Sequence, residues 1–175
     1  MTTGEIEYRY GQVGDANDIA SLGAHVFYVS FSKLMPAEDL RLYLRETYSI
    51  ANISVELEDP LNVFIVAVKN NHIVGFAQLT LNASEPCIDH VESKIQLNRL
   101  YVSDNHQGLG IGKALMIKAE NEARKRGIEN IWLASWEKNT EVERIYKKAG
   151  YTKTGSMKFM LGSTQLKDWV MIKSL

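Results

Sequence analysis

Apolar and polar positions along the chain follow two alternating rhythms, and the switches between them mark out its elements. Glu5–Tyr10 alternates as a short strand. Asp15 stands where a helix N-cap is expected, ahead of Ile19, Leu22, Val26 and Phe27 at helical spacing. Pro36 suits the first turn of a second helix carrying Leu40, Leu44 and Tyr48, and 49–60 reads as further helix ending before Pro60. Asn62–Lys69 is then a dense β-branched and apolar run, Asn70-Asn71 a hairpin turn and His72–Leu81 the returning strand. Lys94–Val102 alternates again. Ile95, Leu97, Arg99 and Tyr101 fall on one side, with Gln96, Asn98, Leu100 and Val102 on the other. A glycine cluster leads into a helix whose apolar row is Ile111, Leu115, Ala119 and Ala123, closed by Arg124-Lys125-Arg126 and Gly127. Asn130–Trp136 reads as a strand, Thr140–Ala149 as a short helix stopped by Gly150, and Tyr151–Phe159 and Gln165–Ser174 as two last strands. The order β-α-α-β-β-β-α-β-α-β-β predicts an α/β (α+β) fold, a mixed sheet flanked by helices.

Length and composition narrow the class. The 175 residues, with no repeat or Ser/Gly-rich linker, suit one domain, 1–175. Hydrophobic residues at 45% and charged residues at 23% exclude a disordered chain. Lys plus Arg number 20 against 21 for Asp plus Glu, a net charge of −1, so no global positive field favours nucleic acid or an anionic membrane. Cys87 is the only cysteine, which leaves no intrachain disulfide and no cysteine-rich zinc site. His25, His72, His90 and His106 are scattered without metal-ligand spacing, so no metal is expected. MTTGEIEYRYGQ has neither the basic start nor the apolar run of a leader, and no window approaches 18 uninterrupted apolar residues. The expectation is a soluble, cytoplasmic protein.

The strongest chemical signal is Gln107-Gly108-Leu109-Gly110-Ile111-Gly112, placed between a strand and a helix. A P-loop would need glycine at 107 and Ser or Thr after Lys113, where the chain has Gln107 and Ala114. A dinucleotide fingerprint read from Gly108 would need Gly or Ala where Lys113 stands, inside a parallel βαβ unit. Two readings survive: a tight strand-to-helix turn, or an anion site built from helix N–H groups with Lys113 nearby.

Gln107-x-x-Gly110-x-Gly112 resembles the pyrophosphate-binding signature of the GNAT superfamily of N-acetyltransferases. Residues 131–175, with Trp136-Glu137-Lys138-Asn139 and Tyr146-Lys147-Lys148, resemble the Pai-type spermidine/spermine acetyltransferases. The resemblance implies a mostly antiparallel sheet of about seven strands, acetyl-CoA as co-substrate and direct transfer to an amine in a ternary complex. It implies that Gln107, Gly108, Leu109, Gly110, Ile111, Gly112 and Lys113 cradle the pyrophosphate. It also implies that the exposed backbone of Leu100, Tyr101 and Val102 holds the pantetheine arm and supplies an oxyanion donor.

For the remaining residues two roles stay open. On its helix Tyr146 shares a face with Val142, Ile145 and Ala149, as a core tyrosine would. The resemblance instead sets it beside the thioester sulfur as proton donor to the leaving thiolate. Asn139 is a helix N-cap, a cofactor contact or both, and Lys148 is solvated or touches a cofactor phosphate. Related enzymes often carry a catalytic glutamate where this chain has Gln96, Asn98 and Ala134, none of which accepts a proton. Glu137, at the end of its strand, is then the general base or a surface carboxylate, with water relays as the other route. Cys87 has a structural default. Glu38, Asp39, Glu46, Glu56, Glu58 and Asp59 crowd the helical region, as a cationic acceptor would want or as a solvated face would show. The leading expectation is transfer to a small-molecule amine, polyamine first, by a monomer or homodimer. The alternatives are a protein N-terminal or lysine acetyltransferase and an acetyl-CoA-binding regulatory module without turnover.

Overall fold

The computed structural model describes residues 5–175; the first four residues of the stretch tested for a leader lie outside it. The chain runs β1 (Glu7–Tyr10), α1 (Ala16–Phe31), α2 (Ala37–Thr47), α3 (Ile50–Glu58), β2 (Asn62–Lys69), β3 (His72–Leu81) and β4 (Lys94–Val102). It continues through α4 (Ile111–Lys125), β5 (Asn130–Trp136), α5 (Thr140–Lys148), β6 (Thr152–Leu161) and β7 (Thr164–Ser174). The seven strands form one sheet in the order β1-β2-β3-β4-β5-β7-β6, antiparallel throughout except between β4 and β5.

Local chemistry sets most boundaries. Asn70 and Asn71, at φ 51° and 64°, take the left-handed conformation that a two-residue hairpin between β2 and β3 requires. Pro36 immediately precedes α2, and Ser49 caps α3 by accepting from the Asn52 N–H at 3.1 Å. Asp15 differs from expectation. It makes no side-chain cap on α1, because its carboxylate is gripped by Arg9 at 2.7 and 2.9 Å and accepts from the Gln12 N–H at 2.8 Å.

Each face of the sheet carries its own core. One contains α4, with Ile111, Leu115, Ala119 and Ala123 packed on Ala67, Leu79, Ile95, Leu97 and Ile131. The other lies under α1–α3, where Ile19, Phe27, Leu40 and Ile53 meet Phe64, Val66, Phe76 and Leu166. The side chains of β4 divide between them in an unexpected way. Its register against β3 slips by one, Gln78 facing Arg99 while Leu79 faces Leu97, so Asn98 is an extra residue. This bulge reverses the alternation. Ile95, Leu97, Leu100 and Val102 all pack toward α4, while Arg99 and Tyr101 turn to the opposite face.

Arg99 is thereby buried and needs partners. Its guanidinium binds both Glu56 oxygens and the Gln78 Oε1 at 2.6 Å, and Gln78 donates to Glu56 at 3.1 Å. The network ties α3 to β3 and β4. Removing one charge should leave the other buried and uncompensated, so Glu56→Gln should lower the unfolding free energy by about 3 kcal/mol. Glu38→Gln, which breaks the solvent-exposed pair with Arg41, should leave it unchanged. Urea denaturation of both variants checks the contrast.

Candidate active site

The site begins where β4 and β5 part. They pair through only three positions, Lys94–Asn130, Ile95–Ile131 and Gln96–Trp132. Beyond Gln96 the strand β4 keeps β3 as its neighbour, and beyond Trp132 the strand β5 keeps β7. Two strand edges, 97–102 and 133–136, therefore face each other across a wedge inside the sheet. Leu100, Tyr101 and Val102 lie along one edge, so main-chain groups there are free to pair with an extended ligand.

At the wide end of the wedge the chain turns from β4 into α4. Gly108 and Gly110 sit at φ 76° and 79°, conformations that other residues rarely adopt, and a Cβ on either would meet open space. Gly110 is the N-cap of α4 and no side chain caps that end. The first-turn amides of Ile111, Gly112 and Lys113 thus point outward with the positive end of the helix dipole, as an anion requires. Gln107 is engaged with Asp104 at 3.3 Å, and His25 Nε2 of α1 stands 2.9 Å from the same aspartate. Lys113 is exposed beside this turn.

One wall of the wedge is α5. Asn139 caps it by accepting from the Val142 N–H at 3.3 Å. Tyr146 packs against the α4-side core, edge-on to Tyr151 at 5.6 Å. Burial, and secondarily the nearby Tyr101, push its phenol well above the ordinary tyrosine value, and no hydrogen bond contributes. Ile145, expected on the same packed face, is 56% exposed instead. Lys148 is exposed in the last turn.

The opposite wall is aromatic. Phe27 stacks on Phe31 at 4.4 Å and touches Tyr43 at 4.6 Å, Phe31 meets Trp136 at 5.7 Å, and Tyr43 leads through Tyr48 to Tyr101. The Tyr48 and Tyr101 hydroxyls are hydrogen-bonded at 2.9 Å, and Arg99 lies over the Tyr48 ring at 5.2 Å. Burial raises the phenols of Tyr43, Tyr48 and Tyr101. At the foot of this wall is Asp168 of β7, directly across from Trp136 in the β5–β7 ladder. Its Oδ1 is buried without a hydrogen-bond partner, and burial, followed by the charge of Glu137, pushes its carboxyl up to about 6. Glu137 itself is ion-paired with Lys167 at 3.3 Å.

The carboxylates expected near the pocket are mostly used elsewhere. Glu38 pairs with Arg41, Glu56 with Arg99, and Asp59 accepts from the Leu61 N–H at 2.9 Å. Asp39 accepts from the Ser163 N–H at 2.8 Å and its hydroxyl at 2.7 Å, tying α2 to the β6–β7 turn. Asp168 and Arg99 are the site residues that sequence reasoning missed. The readable signal for Asp168 was its position between Leu166 and Val170, an acid on the buried parity of a strand. Cys87 packs against Gly155 of β6, in keeping with a structural role. Among the described residues no group of three or more His, Cys, Asp and Glu could hold a metal, and no helix is long and apolar enough to cross a membrane. A concavity of about 370 Å³ lined by Tyr8, Arg9, Lys118 and Glu122 lies between β1 and α4, on the other flank of the sheet.

Similarity to known proteins agrees with this geometry. An uncharacterized N-acetyltransferase of Mycobacterium tuberculosis is 28% identical over 92% of this chain and 98% of its own length. The spermidine N(1)-acetyltransferase of Thermoplasma acidophilum is 24% identical over 83% of this chain and 88% of its own. Streptothricin acetyltransferase of Streptomyces lavendulae is 26% identical over 85% and 82%. The crystal structure of PaiA N-acetyltransferase from Thermoplasma acidophilum in complex with coenzyme A superposes with a TM-score of 0.79 at 23% identity, covering 98% of this chain and 99% of the other. The family model of the Acetyltransferase (GNAT) family matches residues 26–151, and the chain belongs to that family, as an acetyl-CoA-dependent N-acetyltransferase.

Proposed function

We propose that the enzyme acetylates a primary amine of a small molecule, a polyamine-like one first, by direct attack in a ternary complex. The observation that carries this reading is the closure of the aromatic wall. Asp39 fastens α2 to the β6–β7 turn, which favours a recess on the acceptor side of the wedge over a groove open at both ends for a peptide. The relative named for spermidine points the same way.

In this reading Gln107 through Lys113 hold the pyrophosphate, with Asn139 and Lys148 at its flank. The edge of β4 at Leu100, Tyr101 and Val102 hydrogen-bonds the pantetheine arm and presents an N–H to the thioester oxygen. An oxyanion donor of this kind contributes about 3–4 kcal/mol. Tyr146 donates its phenolic proton as the thiolate departs. Its burial keeps it protonated throughout the working pH range. The same burial disfavours a naked thiolate, so the proton still has reason to move. Glu137, held by Lys167, borders the recess and acts on it through its charge.

Thiol release from acetyl-CoA, measured against spermidine, spermine, streptothricin and a peptide N-terminus, tests the acceptor class. Fastest release with a polyamine supports the reading. Fastest release with the peptide replaces it, and acetyl-CoA binding without release to any amine makes the protein a binding module.

Two substitutions follow. Gly112→Asp places a Cβ 3.6 Å from Val102 in ordinary contact and an acid at a helix N-terminus. It should leave the melting temperature unchanged or raised while weakening acetyl-CoA binding at least tenfold, about 1.4 kcal/mol by calorimetry. Tyr146→Phe keeps the ring packed on Tyr151. Stability, KM and acetyl-CoA affinity should hold while kcat falls by more than tenfold, in the range of about 10²–10⁴ typical of a lost proton donor. An unchanged kcat, with chemistry rate-limiting, would make Tyr146 a core residue.

A further inference from the structure

The acceptor arrives as an ammonium ion, yet β4 and β5 carry no proton acceptor where the wedge opens: Gln96, Asn98 and Ala134 stand there. One carboxylate on the acceptor side has an uncommitted oxygen. Asp168 shares a sheet face with Trp136, its cross-strand partner, because residues opposite each other in a ladder project to the same side. Trp136 is in turn packed on Phe31 of α1, which sets Asp168 on the acceptor side. Its Oδ1 is shielded from water and bonded to nothing. A carboxylate oxygen buried without a partner is costly and rarely kept without a use.

We propose that Asp168 is the catalytic base of this enzyme and the anchor for its acceptor, receiving the ammonium of a primary alkylamine between the faces of Tyr43, Tyr101 and Trp136 and taking up its proton; this assignment rests on the acetyltransferase reading above. Aromatic faces and a lone carboxylate are a cation site by chemistry. An alkylammonium supplies three N–H donors and a positive charge that offsets burial of the carboxylate oxygen.

The proton count closes. Asp168 removes one proton from the ammonium and passes it to solvent, and the freed lone pair attacks the thioester carbonyl. As the C–N bond forms and the C–S bond breaks, Tyr146 protonates the sulfur. A second proton leaves the nitrogen and restores the phenol, so amide, free thiol and one solvent proton are the products.

The groups that face Asp168 set its titration. Glu137 at the end of β5 raises its carboxyl, second to burial. Lys167 is its neighbour on β7 and holds Glu137, while Lys158 of β6 stands opposite Lys167. Tyr43 of α2 and Tyr101 of β4 feel the charge of Asp168, and Arg99 acts on both phenols. Because the folded carboxyl titrates near 6, above the ordinary 3.8, the folded state holds its proton to higher pH than the unfolded chain does. Stability is therefore lost as pH rises from about 4 to about 6.

The test uses the amine that the wild type turns over fastest. The kcat/KM of the wild type should rise through about pH 6 to a plateau. Asp168→Asn should lose at least a hundredfold at pH 7.5, lack that rise, and gain rate only as pH approaches the amine's own pKa. Its melting temperature should equal or exceed the wild type's above pH 6 and converge with it below pH 4, as a carboxyl raised by burial requires. Asp168→Glu should recover part of the rate. Glu137→Gln should keep the rise and shift it to lower pH. A wild-type profile in Asp168→Asn, or loss of the rise in Glu137→Gln alone, would overturn the assignment while leaving the acetyltransferase standing. A wild type that releases thiol to no amine would overturn both.

Discussion

The parting of β4 from β5 is the constraint on which the rest of the molecule depends. A sheet interior normally pairs every main-chain group, and leaving two edges open inside it is costly unless water or a ligand takes up the hydrogen bonds. The bulge at Asn98 sets this up. An extra residue bends and twists the strand, and it falls just beyond the last β4–β5 pair, Gln96–Trp132. The same residue changes which side chains look into each core. Leu100 and Val102 stay with α4, while Arg99 and Tyr101 pass to the face beneath α1–α3. One inserted residue thus opens the wedge and moves a cation and a phenol to its acceptor side.

Arg99 on that face would repel a cationic acceptor if left alone. Its bonds to Glu56 and Gln78 hold it against α3 with its charge balanced, and its plane rests over Tyr48. Tyr48 in turn bonds the Tyr101 hydroxyl, so the aromatic wall is fixed from behind by a polar network. Satisfied networks of this kind make a wall rigid, whereas half-satisfied ones soften it. The unsatisfied Asp168 stands out because its surroundings are so fully paired.

Much of this was legible in the residues. The alternation delimits β2, β3, β4 and β5 at their observed ends, and the glycine cluster falls at the β4–α4 turn. The bulge was written in the apolar spacing as well. Ile95, Leu97, Leu100 and Val102 step by two, three and two, and the three is the inserted residue. A strict two-residue rhythm overlooks it, because local periodicity does not say where register slips against a neighbour. The acids near the pocket failed for a different reason. Glu38, Asp39, Glu56 and Asp59 were visible as charges; Glu38 and Asp59 are taken up locally, by Arg41 three residues on and the Leu61 N–H two residues on, whereas Ser163 and Arg99 reach Asp39 and Glu56 only through tertiary placement. Asp168, next to Lys167 in an ordinary alternating strand, gave little sign of being a site residue, because the burial of its Oδ1 is decided by what packs over the strand.

The wedge also separates the two groups proposed as proton carriers, and burial shifts both of them. Tyr146 stands on the α5 side and Asp168 on the aromatic side; Tyr101 acts on the phenol of Tyr146 and is acted on by the charge of Asp168. Burial raises both, but the consequences are opposite. A carboxyl moved to about 6 remains mostly ionised at neutral pH and is a stronger base than a surface aspartate. A phenol moved upward remains protonated and can serve only as an acid. The same desolvation lowers the pKa of an entering ammonium and raises that of a departing thiolate. The ammonium and the carboxyl are thereby brought closer together in affinity for the proton, the condition under which general acid–base catalysis is most effective, while the phenol and the thiolate rise together. A glutamate on β4 would have put base and leaving group on the same strand edge. A base on β7, as proposed, would leave that edge to the backbone, with the main chain free to bind the thioester arm while side chains from opposite walls move the protons.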